Sequence, residues 1–243
     1  MRRPAPLAVS LGDPSGIGPE LIAQAWMRRE AERLWPFFAC GGATVLRAAA
    51  RTCGIDLPVV SITHEAEAGE VFAHGLPVLT QLDADYRPGE PDEQGARFAI
   101  ASLADASTRT INGAAGAIVT GPIAKSHLAK FGFTQPGQTE FVADASGTPR
   151  EDAVMMLAGP SLRTVPLTVH HSLAEVPALL SIDLIIRRIR IVAASLARDF
   201  GLPRARIAVT GLNPTLASTA AWEQRSSASS PPLSRSCARK GLR

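Results

Sequence analysis

A chain of 243 residues that is 46 % hydrophobic carries enough apolar side chains for one large core or two small ones. Aromatic residues make up only 5 %, too few for the stacking surfaces of a single-stranded nucleic-acid binder, and no apolar run reaches membrane-spanning length. The formal charge of +3 belongs to the end of the chain: from Thr215 onward five basic residues face one acid, Glu223, leaving 20 basic and 21 acidic residues elsewhere and no electrostatic reason to expect nucleic acid.

In chain order, "LAVSLG" (7–12) reads as a short apolar strand that ends in a Gly/Pro turn. "GPELIAQAWMRREAERLW" (18–35) has helical periodicity, with Pro19 in a first turn and Glu20 suited to the helix dipole. "PFFACGG" is a buried strand with a glycine stop, "TVLRAAARTCG" a helix closed by Gly54, and "LPVVSI" a further strand. "LPVLT" is a possible strand, "DEQGARFAIASLADASTRTING" a long amphipathic helix, and "GAIVTG" a buried strand. This β-α-β-α alternation predicts a layered α/β fold, with helices on both faces of a largely parallel sheet.

After "TGPIAKSHLAKFG" the pattern changes. "TEFVADASG" reads as a short helix, "AVMMLAG" and "LRTVPLTV" as adjacent strands, "SIDLIIRRIRIVAASLARDFG" as a long helix ending at Gly201, and "RIAVTGL" (206–212) as a last strand. The expected organisation is a first lobe over 1–124, a second lobe over 125–214, and a disordered tail over 215–243. Seven of the 29 tail residues are Ser, and neither a period of 2 nor one of 3.6 survives there. Three cysteines (Cys40, Cys53, Cys237) form no C-x-x-C pair, and no secretory leader is evident, so a reducing cytoplasm is expected.

Four stretches carry possible chemistry. "GDPSGIGPE" (12–20) allows a tight turn before a helix N-terminus that can face an anion, or is simply a rigid turn; it lacks the G-x-G-x-x-G spacing of a dinucleotide fingerprint. "VTGPIAKSHL" places Lys125 in a first helical turn, either toward a ligand anion or in solvent. "PGQTEF" puts Gln138 and Thr139 at a helix start, where Thr139 can be an N-cap or both can hold a phosphate or hydroxyl. "LTVHHSL" carries His170 and His171; neighbours on a strand point to opposite faces and cannot share one ion, so a metal needs ligands from elsewhere.

Taken together, "GDPSGIGPE", "VTGPIAK", "PGQTEF", "VMMLAG", "VPLTVHHSL" and "GLNP" resemble, in order and spacing, the 4-hydroxythreonine-4-phosphate dehydrogenase family of pyridoxal phosphate biosynthesis. The resemblance covers Leu7 to Pro214. It implies an isocitrate/isopropylmalate-dehydrogenase-like α/β fold of two lobes, with the C-terminal part missing, and a cytoplasmic homodimer with a shared active site. It implies oxidation of 4-phosphooxy-threonine with NAD or NADP and a divalent metal (Zn, Mg or Co) held by three histidines drawn from both subunits. His170 matches the first metal histidine, and Gln138 and Thr139 match the substrate-binding pair, with Gln138 standing where the family usually has histidine. The second metal histidine follows "GLNP" in the family, and here that position is Thr215. The implied partners are a small phosphorylated substrate and a second subunit, not nucleic acid or membrane. Related enzymes act on threonate or erythronate phosphates or on dihydrodiols; a non-catalytic remnant or dimerisation partner is the alternative outside enzymes.

The tail also reads as nucleotides. If the Pro214 codon ends in C, starting one base earlier makes the codons of Thr215–Glu223 compatible with "HAGEHGGMG", the first His and the last Gly being forced. That string is what the family has after "GLNP". The expectation is a one-base shift near Pro214, and with one of three metal histidines present, little or no activity in this chain.

Overall fold

The computed structural model of the protein describes residues 5–79 and 82–212. The serine-rich tail, Thr215 and the end of "GLNP" lie outside these, and with them the expectation of a disordered tail. The chain forms two compact units, Met1–Thr148 and Pro149–Arg243.

The first unit is built on a five-stranded parallel sheet: β1 Leu7–Ser10, β2 Phe37–Cys40, β3 Val59–Ile62, β4 Leu76–Leu79 and β5 Ile118–Thr120, in the order β3-β4-β2-β1-β5. Every pairing is parallel, as β-α-β crossover connections allow. The helices are α1 Gly18–Met27, α2 Ala43–Thr52, α3 Ala68–Val71, α4 Glu93–Ile111, α5 Lys125–Leu128 and α6 Gln138–Ala145. Alternate strand residues feed two cores. Val9, Phe37, Ala39, Leu76 and Val78 pack with Ile22, Trp26, Val45 and Leu46 of α1 and α2. Ala8, Phe38, Cys40, Ile62 and Leu79 pack on the other face with Ala106 of α4. Both faces are thus covered, which is why these strands read as continuous apolar runs rather than as alternating ones.

The expected elements appear with two differences in this unit. Helix α1 stops at Met27 instead of running to Trp35. The next residues, Arg28 to Arg33, are nearly all charged, offer no face to bury, and form turns that end with Arg33 at φ 51°. The segment after β5 stays with this unit: Leu128 and Phe133 are buried with Ala96, Ala99 and Leu103 of α4, and Phe141 of α6 stacks on Phe133 at 5.8 Å.

In the second unit the two expected strands are two residues each, β6 Leu157–Ala158 and β7 Arg163–Thr164, antiparallel and closed by a Gly159 N–H to Leu162 carbonyl bond of 2.8 Å. The short helix α7 Val176–Leu179 precedes α8 Ile182–Phe200. Ser181 caps α8 by accepting from the Leu184 N–H at 3.1 Å, and Gly201 ends it at φ 65°, a left-handed turn that glycine takes without strain. Helix α8 buries Ile185 and Ile186 with Leu167, and its Arg187 bonds Asp152 at 2.6 Å. That contact holds the Asp152 carboxyl below its ordinary range. The last expected strand, 206–212, is not formed: Ile207 and Val209 are exposed. A strand needs a neighbour for its N–H and C=O groups, and no strand of the described residues pairs with it.

Candidate active site

Strand order locates the site. The chain leaves β1 toward β2 on one side and arrives at β5, on the other side, from β4. The gap between the carboxyl ends of β1 and β5 is therefore the topological switch point, the place where open α/β sheets bind ligands. The loops that meet there are "GDPSGI" after β1 and "GPIA" after β5.

Their approach is close enough to exclude side chains. A Cβ on Gly12 would lie 2.4 Å from the Pro122 carbonyl oxygen, and one on Gly121 would lie 2.5 Å from that of Leu11. Gly12 is also left-handed, at φ 75°. With that room left empty, the Asp13 N–H donates to the Pro122 carbonyl at 3.1 Å and the Gly121 N–H to that of Ser10 at 2.9 Å. The two loops are one platform.

Three side chains brace it. Asp13 is buried, and its carboxylate accepts from the Ser15 N–H at 2.9 Å and the Ser15 hydroxyl at 2.7 Å. Ser102 of α4 accepts from the Leu11 N–H at 3.0 Å and donates to the Cys40 carbonyl at 2.8 Å, tying the ends of β1 and β2 together. Gln138, the first residue of α6, donates from its side-chain amide to the Gly121 carbonyl at 2.8 Å. Neither Asp13 nor Ser102 stands out in the sequence: the first is one polar residue in a turn, the second a small residue on the buried face of an amphipathic helix.

The first turn of α1 carries a carboxylate of the protein itself. Glu20, in its first turn, accepts a hydrogen bond from the Tyr86 hydroxyl. Burial, with that carboxylate adding to it, pushes the Tyr86 hydroxyl up to about 12. Lys125 opens α5 and is exposed, with no ion-pair partner among the described residues. His127, two residues on, is anchored structurally: its Nε2 lies 3.0 Å from the Asp92 carbonyl, and its ring meets Phe131 edge-on at 5.3 Å.

Thr139 is exposed and is not the helix cap; Gly137 holds that position without a side-chain bond. The Thr139 hydroxyl therefore has no capping duty and is free for a ligand. Gln138 and Thr139 belong to the first unit, and His170 to the second. His170 is exposed at φ 61°, at the start of a turn in which Glu175 accepts from the Ser172 N–H at 3.0 Å and the Ser172 hydroxyl at 2.8 Å. Those bonds hold the Glu175 carboxyl below its ordinary range. Among the described residues no three His, Cys, Asp or Glu side chains come together. These residues do not by themselves make a metal centre, since a catalytic divalent ion takes about three protein ligands.

The profile of the family described as "Pyridoxal phosphate biosynthetic protein PdxA" matches residues 33–220. The chain is 57 % identical over 209 residues to a 4-hydroxythreonine-4-phosphate dehydrogenase of Erythrobacter litoralis, a match covering 86 % of this chain and 62 % of that protein. It is 47 % identical to the protein of that name from Zymomonas mobilis, over 86 % of this chain and 61 % of that one. The chain thus spans about three-fifths of the length of these relatives. Among solved structures, a 4-hydroxythreonine-4-phosphate dehydrogenase from Klebsiella pneumoniae superposes with a TM-score of 0.81 at 30 % identity, over 98 % of this chain and 73 % of that one. The layered α/β fold of the isocitrate/isopropylmalate-dehydrogenase type is the one these relatives share.

Proposed function

The chain belongs to the pyridoxal phosphate biosynthetic protein PdxA family, and on that premise we propose that its reaction is the NAD(P)-dependent oxidation of 4-phosphooxy-L-threonine. The identity of 57 % to the Erythrobacter 4-hydroxythreonine-4-phosphate dehydrogenase is the observation that carries the reading. The nicotinamide, when bound, would take up the hydride of the secondary alcohol, whose hydroxyl proton would leave to solvent, giving 2-amino-3-oxo-4-phosphooxybutanoate. This β-keto acid loses carbon dioxide to give 3-amino-2-oxopropyl phosphate.

The platform at the carboxyl ends of β1 and β5 supports the substrate side of this reading. Thr139 offers a free hydroxyl to the phosphate or the substrate hydroxyl. Gln138 keeps its amide oxygen available while its nitrogen is held by Gly121. We assign His170 as one metal ligand by motif match; the described residues do not complete the site. The choice between NAD and NADP, a homodimer with a shared site, and a cytoplasmic location belong to the same proposal. No helix among the described residues is long and apolar enough to cross a membrane.

The test is direct. Purified chain is given 4-phosphooxy-threonine, NAD or NADP and a divalent salt, and nicotinamide reduction is followed. Turnover is expected far below the ordinary enzyme range of about 1–10³ per second, because Thr215 stands where the family has its second metal histidine. Calorimetric binding of the substrate should survive and weaken in Thr139→Ala. Preference for threonate or erythronate phosphate would replace this substrate with theirs.

A further inference from the structure

Gln138 opens α6 with the two polar atoms of its amide in different situations. The nitrogen donates to the Gly121 carbonyl at 2.8 Å. Gly121 is buried, and its own N–H is spent on the Ser10 carbonyl at 2.9 Å. A carbonyl only accepts, so this contact fixes which end of the amide faces the loop: a flipped amide would press two acceptors together and leave both unpaired. The amide oxygen is therefore turned away from Gly121, and it accepts no hydrogen bond from the described residues. The same turn holds no positive side chain to call in an anion. Its one charged residue is Glu140, and a Cβ on Gly137 would come within 2.9 Å of the Glu140 Oε2. The positive end of the α6 dipole thus already has a carboxylate of the chain beside it.

We propose that Gln138 selects a hydrogen-bond donor of the substrate: its amide oxygen accepts from the hydroxyl or the ammonium group of 4-phosphooxy-threonine, and it turns away the phosphate, which offers only acceptors when fully ionised. The inference rests on the reaction proposed above and adds a sense of direction to the site. Where the donor is the hydroxyl, oxidation converts it into a ketone, an acceptor, and the contact that held the alcohol opposes the product. A histidine at this position would work in either sense. A neutral ring fastened by one N–H accepts at its other nitrogen, whereas a protonated ring donates from both. Glutamine has no second protonation state near neutral pH, and its nitrogen is already committed to Gly121, so in this chain the selection for a donor is fixed.

Titration calorimetry with three ligands tests it: 4-phosphooxy-threonine, 2-amino-4-phosphooxybutanoate, which lacks the hydroxyl, and 3-hydroxy-4-phosphooxybutanoate, which lacks the amine. One of the two analogues should bind more weakly than the parent by a factor that shrinks about threefold to tenfold in Gln138→Met, which keeps the side-chain length without the amide. That analogue identifies the donor. Penalties unchanged in Gln138→Met overturn the proposal. So does a single factor of weakening for all three ligands, which would mean that Gln138 serves the phosphate they share or only the loop. Gln138→His keeps the test open if Gln138→Met does not fold. It should show the penalty at about pH 8, with a neutral ring, and lose it at about pH 5.5, with both nitrogens donating, while the unaltered chain shows it at both. Comparing ligands at one pH cancels the titration of the groups they share. A penalty in Gln138→His that is the same at both pH values overturns the proposal. Failure of all three ligands to bind overturns the substrate reading itself, and this inference with it.

Discussion

The side-chain amide of Gln138 donates to the carbonyl of Gly121 at 2.8 Å, fastening the first turn of α6 to the loop after β5. A carbonyl only accepts, so the position needs a donor. Gln138→Glu lacks one near neutral pH and should cost about 0.5–1.5 kcal/mol in urea denaturation, whereas Gln138→His keeps a ring N–H and should cost less. Faster amide exchange around Lys125 in the Glu variant alone would mark the released loop. Equal stability of all three forms would refute the bond.

Gly121 sits where backbone meets backbone. Gly121→Ala would set its Cβ 2.5 Å from the Leu11 carbonyl oxygen and 2.8 Å from the Gly12 nitrogen, contacts that no rotamer relieves. A loss of about 2 kcal/mol or more is expected. Gly69, in α3, has nothing within 4 Å of an added Cβ, and Gly69→Ala should stabilise by about 0.4–1 kcal/mol. Paired denaturation curves compare the two; similar midpoints would contradict the close packing of the platform.

Ser102 is buried and uses its hydroxyl in both directions, accepting from the Leu11 N–H and donating to the Cys40 carbonyl. Ser102→Ala strands a buried N–H and a buried carbonyl at once. A destabilisation of about 1–3 kcal/mol follows, read as a lower urea midpoint with an unchanged slope. A change below a few tenths of a kcal/mol would mean that the strand ends are held by other groups.

Burial pushes the Cys40 thiol well above its ordinary value of 9.0, and the neighbouring Asp105 carboxylate pushes it further. Between the ordinary and the raised value the folded chain keeps a proton that the unfolded chain releases. The stability linked to Cys40 is therefore full below the ordinary thiol range and falls as pH rises above it. Denaturation at about pH 8 and about pH 10 should show a steeper loss in the unaltered chain than in Cys40→Ala. Tyr86 contributes with the same sign in both proteins, so the difference isolates Cys40. Cys53, half-buried, should alkylate in the folded state long before Cys40 does.

The reading of the tail as shifted codons has a test outside the protein. DNA sequence across codon 214 should show a Pro codon ending in C, followed by bases that spell "HAGEHGGMG" one base earlier. Any codon in this stretch that is incompatible with the shifted string disproves it.

Much of the fold was legible because its information is local. Phe37–Cys40 and Leu76–Leu79 are apolar throughout, as strands covered on both faces must be, and Gly54 and Gly201 close their helices at positive φ. Gln138 and Thr139 were found as a polar pair at a helix start, but which of them caps, braces or stays free was not written there. Thr139 was open to a capping role that Gly137 takes, and Gln138 turned out to be tied to a carbonyl 17 residues away.

The amino-acid sequence by itself determined the α/β alternation, the family's motifs, and the break in composition at Thr215, since each depends on neighbours along the chain. Tertiary structure decided what depends on distant partners. It set the order β3-β4-β2-β1-β5, and so the switch point where two glycine loops touch. It ended α1 at Met27, where no apolar face remained to bury. It also left 206–212 without strand structure, and β5 with an open edge among the described residues, because a strand exists only where another backbone answers its hydrogen bonds.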